Sequence, residues 1–194
     1  QVELLKNDTV KVTHVLKNRS KKFIKRAAWA VTMLPPGGYG VLPLLPKGDH
    51  AKQDLLPNYI LIPWSFTNLA SKVWDFKTDF IGINVNLANR PEKLGISQYP
   101  GWSAYWNKNS AFVKYSKPLK NSAYTDLGSS FETFTNGNMF ELETLSPIRE
   151  LKPGQKIIHT EFWTVVSKIP KPNTDARFTK YLQQPLKKWL KSLH

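Results

Sequence analysis

The sequence predicts an all-β domain closed by a short helical tail, and three observations carry that expectation. Short runs rich in Val, Ile, Thr, Phe, Tyr and Trp recur along the chain, several of them alternating apolar with polar residues as half-buried strands do. Fourteen prolines and ten glycines punctuate those runs, the pattern of many strands joined by turns. Helical spacing of apolar residues appears only near the end. With 194 residues, 41% of them hydrophobic, the chain is long enough for one domain with a substantial core.

The elements follow in order. Val10 to Asn18 alternates as a strand should, and Asn18-Arg-Ser-Lys-Lys makes a turn. Phe23 to Leu34 reads as one strand around Trp29, and Pro35-Pro-Gly-Gly-Tyr-Gly as a loop. Val41-Leu-Pro-Leu-Leu and Tyr59-Ile-Leu-Ile-Pro-Trp are short strands whose prolines suit edges or strand ends. Further strands are expected within Lys72–Asn86, at Lys93-Leu-Gly-Ile-Ser, Gly101-Trp-Ser-Ala-Tyr-Trp and Ser110-Ala-Phe-Val-Lys-Tyr, with Asn107-Lys-Asn as the hairpin turn between the last two. Tyr124 to Ser130 is a loop leading into Phe131-Glu-Thr-Phe. The division expected is 1–167 as the β-domain and 168–194 as a basic linker and amphipathic tail. In that tail Asp175 is a candidate helix cap. Phe178, Tyr181, Leu182, Leu186, Trp189, Leu190 and Leu193 then line one helical face, and Pro185 interrupts or restarts the helix.

Charge and composition exclude several classes. The net charge of +14 sits at the two ends. Residues 1–26 hold eight Lys/Arg against Glu3 and Asp8, and residues 168–194 hold seven against Asp175, a balance of +6 at each end. Basic ends can meet an anionic surface or simply be solvated. No aromatic-basic interleaving resembles a nucleic-acid module, so no nucleic-acid partner is expected. With no cysteine, disulfides, thiolate metal sites and Cys nucleophiles are ruled out. His14, His50, His159 and His194 lack metal-ligand spacing, so no metal is expected. No apolar run reaches the ~18 residues of a membrane span. The chain begins with Gln1, which suggests a removed leader or missing N-terminal strands. The expectation is a soluble protein, periplasmic or secreted if a leader has been removed.

The stretch Phe131 to Val166 carries the candidate chemistry. Two strand-like segments flank a Pro-Gly turn, and the first places Glu141 and Glu143 on one face with Met139 and Leu145, while Phe140, Leu142 and Thr144 take the other. Like charges roughly 7 Å apart resist ionising together, the setting of a base with a raised pKa. The same pattern fits the solvent face of an edge strand. Carboxylates amid aromatics suit carbohydrate, because carboxylates accept from sugar hydroxyls and flat rings cover C–H faces. Trp29, Trp64, Trp102, Tyr105 and Trp106 are available for that role, and core packing explains any one of them equally well.

Phe140-Glu-Leu-Glu-Thr-Leu-Ser-Pro, then Leu151-Lys-Pro-Gly-Gln and His159-Thr-Glu-Phe-Trp, resemble the C-terminal strands of the galactose mutarotase (aldose 1-epimerase) superfamily. More closely, the chain resembles an uncharacterised branch of it, through Ala28-Trp-Ala-Val-Thr with Pro36-Gly-Gly, Lys93-Leu-Gly-Ile, Gly101-Trp-Ser-Ala-Tyr, Phe112-Val-Lys and Phe131-Glu-Thr-Phe-Thr-Asn. The resemblance spans roughly residues 8–166. It implies a large twisted antiparallel β-sandwich binding a mono- or oligosaccharide on its concave face. It makes Glu143 the general base and implies that no cofactor is needed; Glu132, Glu141, Trp29, Trp102, Tyr105, Lys114 and Asp126 are the sugar-binding candidates. The family's histidine acid has no counterpart, since Ala28-Trp29-Ala30 stands in its place; Tyr105, Lys114 and Tyr124 are the candidates to replace it. The expected function is carbohydrate binding at Glu143. The alternatives are an aldose 1-epimerase with a replaced acid, or an accessory sandwich for anionic polysaccharide.

Overall fold

The computed structural model describes residues 1–97 and 100–193. In chain order the strands are β1 (Val2–Leu5), β2 (Thr9–Lys17), β3 (Ile24–Arg26), β4 (Trp29–Leu34), β5 (Tyr39–Pro43), β6 (Leu61–Pro63), β7 (Trp74–Phe76) and β8 (Phe80–Asn84). They continue as β9 (Glu92–Ile96), β10 (Trp102–Asn107), β11 (Ser110–Tyr115), β12 (Phe131–Thr135), β13 (Phe140–Leu145), β14 (Arg149–Leu151) and β15 (Lys156–Ser167). Among the described residues these form an eight-stranded sheet, β1-β2-β15-β11-β10-β5-β8-β7, and a five-stranded sheet, β4-β13-β12-β9-β6. A separate ribbon pairs β3 with β14. The pairing within both sheets is antiparallel. The all-β sandwich expected from the sequence is the observed architecture.

Local chemistry explains where the chain turns and where it departs from expectation. The β10–β11 hairpin closes through Lys108 and Asn109, both left-handed (φ 45° and 62°), which matches the right-handed twist of the flanking strands. Phe23 to Leu34 divides into β3 and β4 instead of running as one strand. Buried Ala28 is the break: its N–H donates to Ser146 Oγ (2.8 Å) and its carbonyl accepts from Ser146 N (2.9 Å). That clamp sends β3 to β14 and β4 into the five-stranded sheet. Pro63 ends an edge strand, as its missing N–H requires.

The tail lies across the outer face of the eight-stranded sheet. Its helix runs as α1 (Asp175–Phe178), a π-wide segment at Thr179–Gln183, and α2 (Gln184–Ser192). Phe178, Leu182 and Leu186 are buried there against Tyr39, Val41, Phe80 and Trp102. Phe178 stacks on Phe80 and Trp102 at 4.7 and 5.8 Å. Pro185 lacks an N–H, and the widened turn just before it lets the helix restart at Gln184. The cap is Thr174, whose hydroxyl accepts from Arg177 N at 3.3 Å. Asp175, the expected cap, is one residue too far along. Its carboxylate instead accepts from Asp79 N (3.1 Å) and Thr78 N (3.4 Å), tying the helix to the β7–β8 turn.

Two kinds of contact join the sheets. Leu42, Ile81, Ile83 and Tyr105 of the larger sheet pack on Leu94, Ile96, Phe131, Phe140 and Leu142 of the smaller. Beside this apolar core lies a buried polar cluster. Lys114 of β11, with no solvent exposure, donates from Nζ to Ala30 O, Thr32 Oγ1 and Leu142 O, each at 2.9 Å. It also pairs with Glu161 Oε1 at 2.7 Å. Glu161 receives further bonds from Thr144 Oγ1 and His14 Nε2. Burial pushes the Glu161 carboxyl up, but the adjacent ammonium and these hydrogen bonds more than reverse it, so Glu161 stays ionised. Burial drives His159, 2.8 Å from Thr144 Oγ1, down to about 4, so it is neutral at pH 7. Removing one partner of a buried ion pair strands the other. Lys114→Met is therefore expected to cost about 3–5 kcal/mol in urea unfolding, and adding Glu161→Leu to recover part of that loss.

Candidate functional site

The face of the five-stranded sheet turned away from the core gathers charge and aromatic rings. Its logic is the strand period. Phe140, Leu142 and Thr144 face the larger sheet, so Glu141, Glu143 and Leu145 face outward. The register puts Glu132 of β12 directly opposite Glu143, and Val31 of β4 on its other side. On β9, Gly95 lies opposite Glu132 and Lys93 opposite Phe134. The pleat thus brings Lys93, Glu132 and Glu143 to one spot from three adjacent strands.

At that spot Lys93 Nζ binds both carboxylates. It lies 2.7 and 2.9 Å from the two oxygens of Glu143 and 2.8 Å from Glu132 Oε2. The indole N–H of Trp29 donates to Glu143 Oε2 at 2.6 Å. Glu143 itself is 0% exposed while Trp29 is 61% exposed. The carboxylate therefore anchors a ring that lies in solvent. Lys93 Nζ also sits 5.2 Å from the Trp29 ring and 4.7 Å from the Trp64 ring, within cation–π range. Gly95 makes room for Trp64: a Cβ there would lie 2.6 Å from Ser129 Oγ and 3.1 Å from Trp64.

Burial lowers Lys93, but hydrogen bonds and charge from Glu132 and Glu143 outweigh it and hold the ammonium above its ordinary pKa. Glu132 goes the other way. Desolvation raises it to about 7, against the pull of Lys93, with Glu143 and Asp126 adding repulsion. Its Oε1 is buried without a hydrogen-bond partner among the described residues. Glu141, at the rim, is raised by partial burial and then by Glu143.

The structure thus brings Glu132, Glu141, Glu143 and Trp29 together and leaves Asp126 near enough to act on Glu132 by charge. It places the other candidates elsewhere. Trp102 is buried beneath the C-terminal helix. Tyr105 stands in the core, stacked on Phe140 at 5.1 Å, with its hydroxyl donating to Pro35 O and accepting from Gly38 N. Lys114 is sealed between the sheets, and the Tyr124 hydroxyl accepts from Leu119 N. Trp102, Tyr105 and Lys114 belong to the larger sheet, Trp102 on its helix-covered face and the other two turned in between the sheets, and Tyr124 lies in a loop. His194 lies outside the described residues. Lys93 is the addition, and Trp64, one of the rings available in the sequence, stands beside it. Lys93 appears in sequence only as the polar residue of an alternating strand, 50 positions from Glu143, so nothing local marks it.

A carboxyl whose folded pKa exceeds its unfolded value favours the folded state below the unfolded pKa, and that contribution is lost as pH rises through the folded one. For Glu132 that window runs from the ordinary carboxyl value of 4.5 to about 7. Glu132→Gln should accordingly gain stability relative to wild type as pH is raised from 5 to 8. Thermal melts of both proteins across that range check the sign.

No protein-family model matches the chain, and no curated protein matches it. Among solved structures, a galactose mutarotase-like protein from Lactobacillus casei ATCC 334 superposes with a TM-score of 0.54 at 7% identity, over 84% of this chain and 61% of that one. A TPR-domain containing protein from Parabacteroides distasonis ATCC 8503 gives a TM-score of 0.52 at 13% identity, over 85% of this chain and 29% of that one. The chain thus spans less than two thirds of either protein's length. Both the C-terminal strand resemblance and the superposition lead to one assignment: this chain has the galactose mutarotase-like β-sandwich fold.

Proposed function

We propose that the protein binds a mono- or oligosaccharide on the outer face of the five-stranded sheet, at the Glu132–Lys93–Glu143 cluster between Trp29 and Trp64. The observation that carries this reading is the anchored tryptophan. A bond of 2.6 Å from Trp29 Nε1 to a fully buried carboxylate fixes an indole that is otherwise exposed. A fixed, exposed ring beside hydrogen-bonding groups is the chemistry that covers a sugar's C–H face while engaging its hydroxyls. The surroundings are acidic: Lys93 is outnumbered by Glu132, Glu143, Glu141 and Asp126. That balance favours a neutral sugar over a uronate at this face.

A second reading, epimerisation of an aldose, draws on Glu132. A buried carboxyl with a pKa of about 7 and an oxygen without a partner among the described residues suits proton exchange near neutral pH. Against it, Glu143 is bonded through both oxygens to Lys93 and has no solvent exposure, which suits an anchor better than an open base.

Tryptophan fluorescence or NMR titration against a panel of neutral sugars tests the binding reading. A saturable response is expected, weakened about tenfold or more in Trp29→Ala and in Glu143→Ala, which removes the acceptor of the indole N–H. No response to any sugar overturns it. Polarimetry separates the second reading: an acceleration of mutarotation lost in Glu143→Gln and Glu132→Gln is required for turnover.

A further inference from the structure

A second surface, independent of the sugar face, lies where the ribbon of β3 and β14 meets the ends of β2 and β15. Strand pairing there sets cations against cations. Arg26 is the cross-strand partner of Arg149, and Lys17 that of Lys156. Like charges directly opposite each other destabilise a sheet. Among the described residues none of these four, nor Lys21 and Lys22 on the adjoining turn, nor Lys25 of β3, which lies across the ribbon from Glu150, has an ion-pair partner.

The turn carrying those lysines is held rigidly. Asn18 is buried, and its amide donates to Lys22 O (2.8 Å) and Leu151 O (2.9 Å) while its Oδ1 accepts from Ser20 N (2.9 Å) and Ser20 Oγ (2.8 Å). Its backbone bonds Gln155 and Gly154 of the facing turn. The cations are thus displayed from two turns locked to each other. Among them stand apolar side chains in solvent: Phe23 is 68% exposed, and the cross-strand partners Val15 and Ile158 are 49% and 56% exposed.

We propose that this cationic, apolar face docks on an anionic phospholipid surface. The mixture decides the partner. Lysines and arginines are drawn to acidic headgroups, and an exposed Phe with aliphatic neighbours gains by entering the interface. A nucleic acid would want stacking rings, and an acidic glycan would want aromatic faces or hydroxyl-matched acceptors. Val15 and Ile158 offer neither.

Co-sedimentation of the full chain with phosphatidylcholine vesicles, with and without phosphatidylserine, tests it. Binding is expected only to the anionic vesicles and should fall as salt rises. A triple reversal, Lys21→Glu, Lys22→Glu and Lys25→Glu, should weaken it at least about a hundredfold, near fivefold or more per lysine. Phe23→Ser should weaken it about tenfold. Lys156→Glu controls for folding: it converts a repulsive pair with Lys17 into an attractive one, so it should raise the melting temperature while weakening vesicle binding. Equal binding to neutral vesicles, no binding, or unchanged binding by Phe23→Ser overturns the proposal. So does binding of heparin or single-stranded DNA with the same variant dependence while vesicles are ignored.

Discussion

The outer face of the five-stranded sheet depends on an ammonium on the sheet's inner side. Lys114 crosses from β11 to the carbonyls of Ala30 and Leu142 and the hydroxyl of Thr32. Ala30 follows Trp29, and Leu142 precedes Glu143. Successive residues in a strand point to opposite faces, so the two backbones gripped from within are the two that present Trp29 and Glu143 outside. A fully buried lysine is tolerable only because Glu161 neutralises it and Thr144 and His14 complete the carboxylate's bonds. The polar cluster between the sheets and the Glu143–Lys93–Trp29 cluster above them share one pair of strands.

That dependence also explains what the sequence discloses. Alternation along Phe140–Leu145 was enough to put Glu141 and Glu143 on one face, because period 2 is a local property of the chain. The all-β class, the Asn107-Lys-Asn hairpin and the apolar stripe of the tail were legible for the same reason. Lys93 was not, since its pairing with Glu143 exists only after β9, β12 and β13 take their register. Trp102, Tyr105 and Lys114 read in sequence as available side chains, and only the stacking of the layers shows which way each points. The break at Ala28 was hidden likewise, because the Ser146 hydroxyl that makes it lies 118 residues away.

Charge is segregated in a way the net value of +14 conceals. The outer face of the smaller sheet is locally acidic, with one lysine among four carboxylates, while the neighbouring turns and ribbon carry repulsive cation pairs in register. Screening over about 8 Å at physiological ionic strength lets such regions act separately. A neutral, hydroxyl-rich ligand suits the first and an anionic surface the second.

The position of Glu143 sharpens what the mutarotase-like fold does here. A base must reach a substrate proton with a free lone pair. This carboxylate is closed off from solvent, bonded through both oxygens to Lys93, and through one to an indole. Its neighbour Glu132 has the complementary condition: one oxygen on Lys93, the other without a partner among the described residues, and a pKa raised to about 7. Of two carboxylates facing each other across one ladder rung, one is fixed as an anchor by its hydrogen bonds, and the other is raised to about 7 by burial. On the proposed sugar-binding reading, proton chemistry falls to Glu132, while Glu143 holds Lys93 and Trp29 in place.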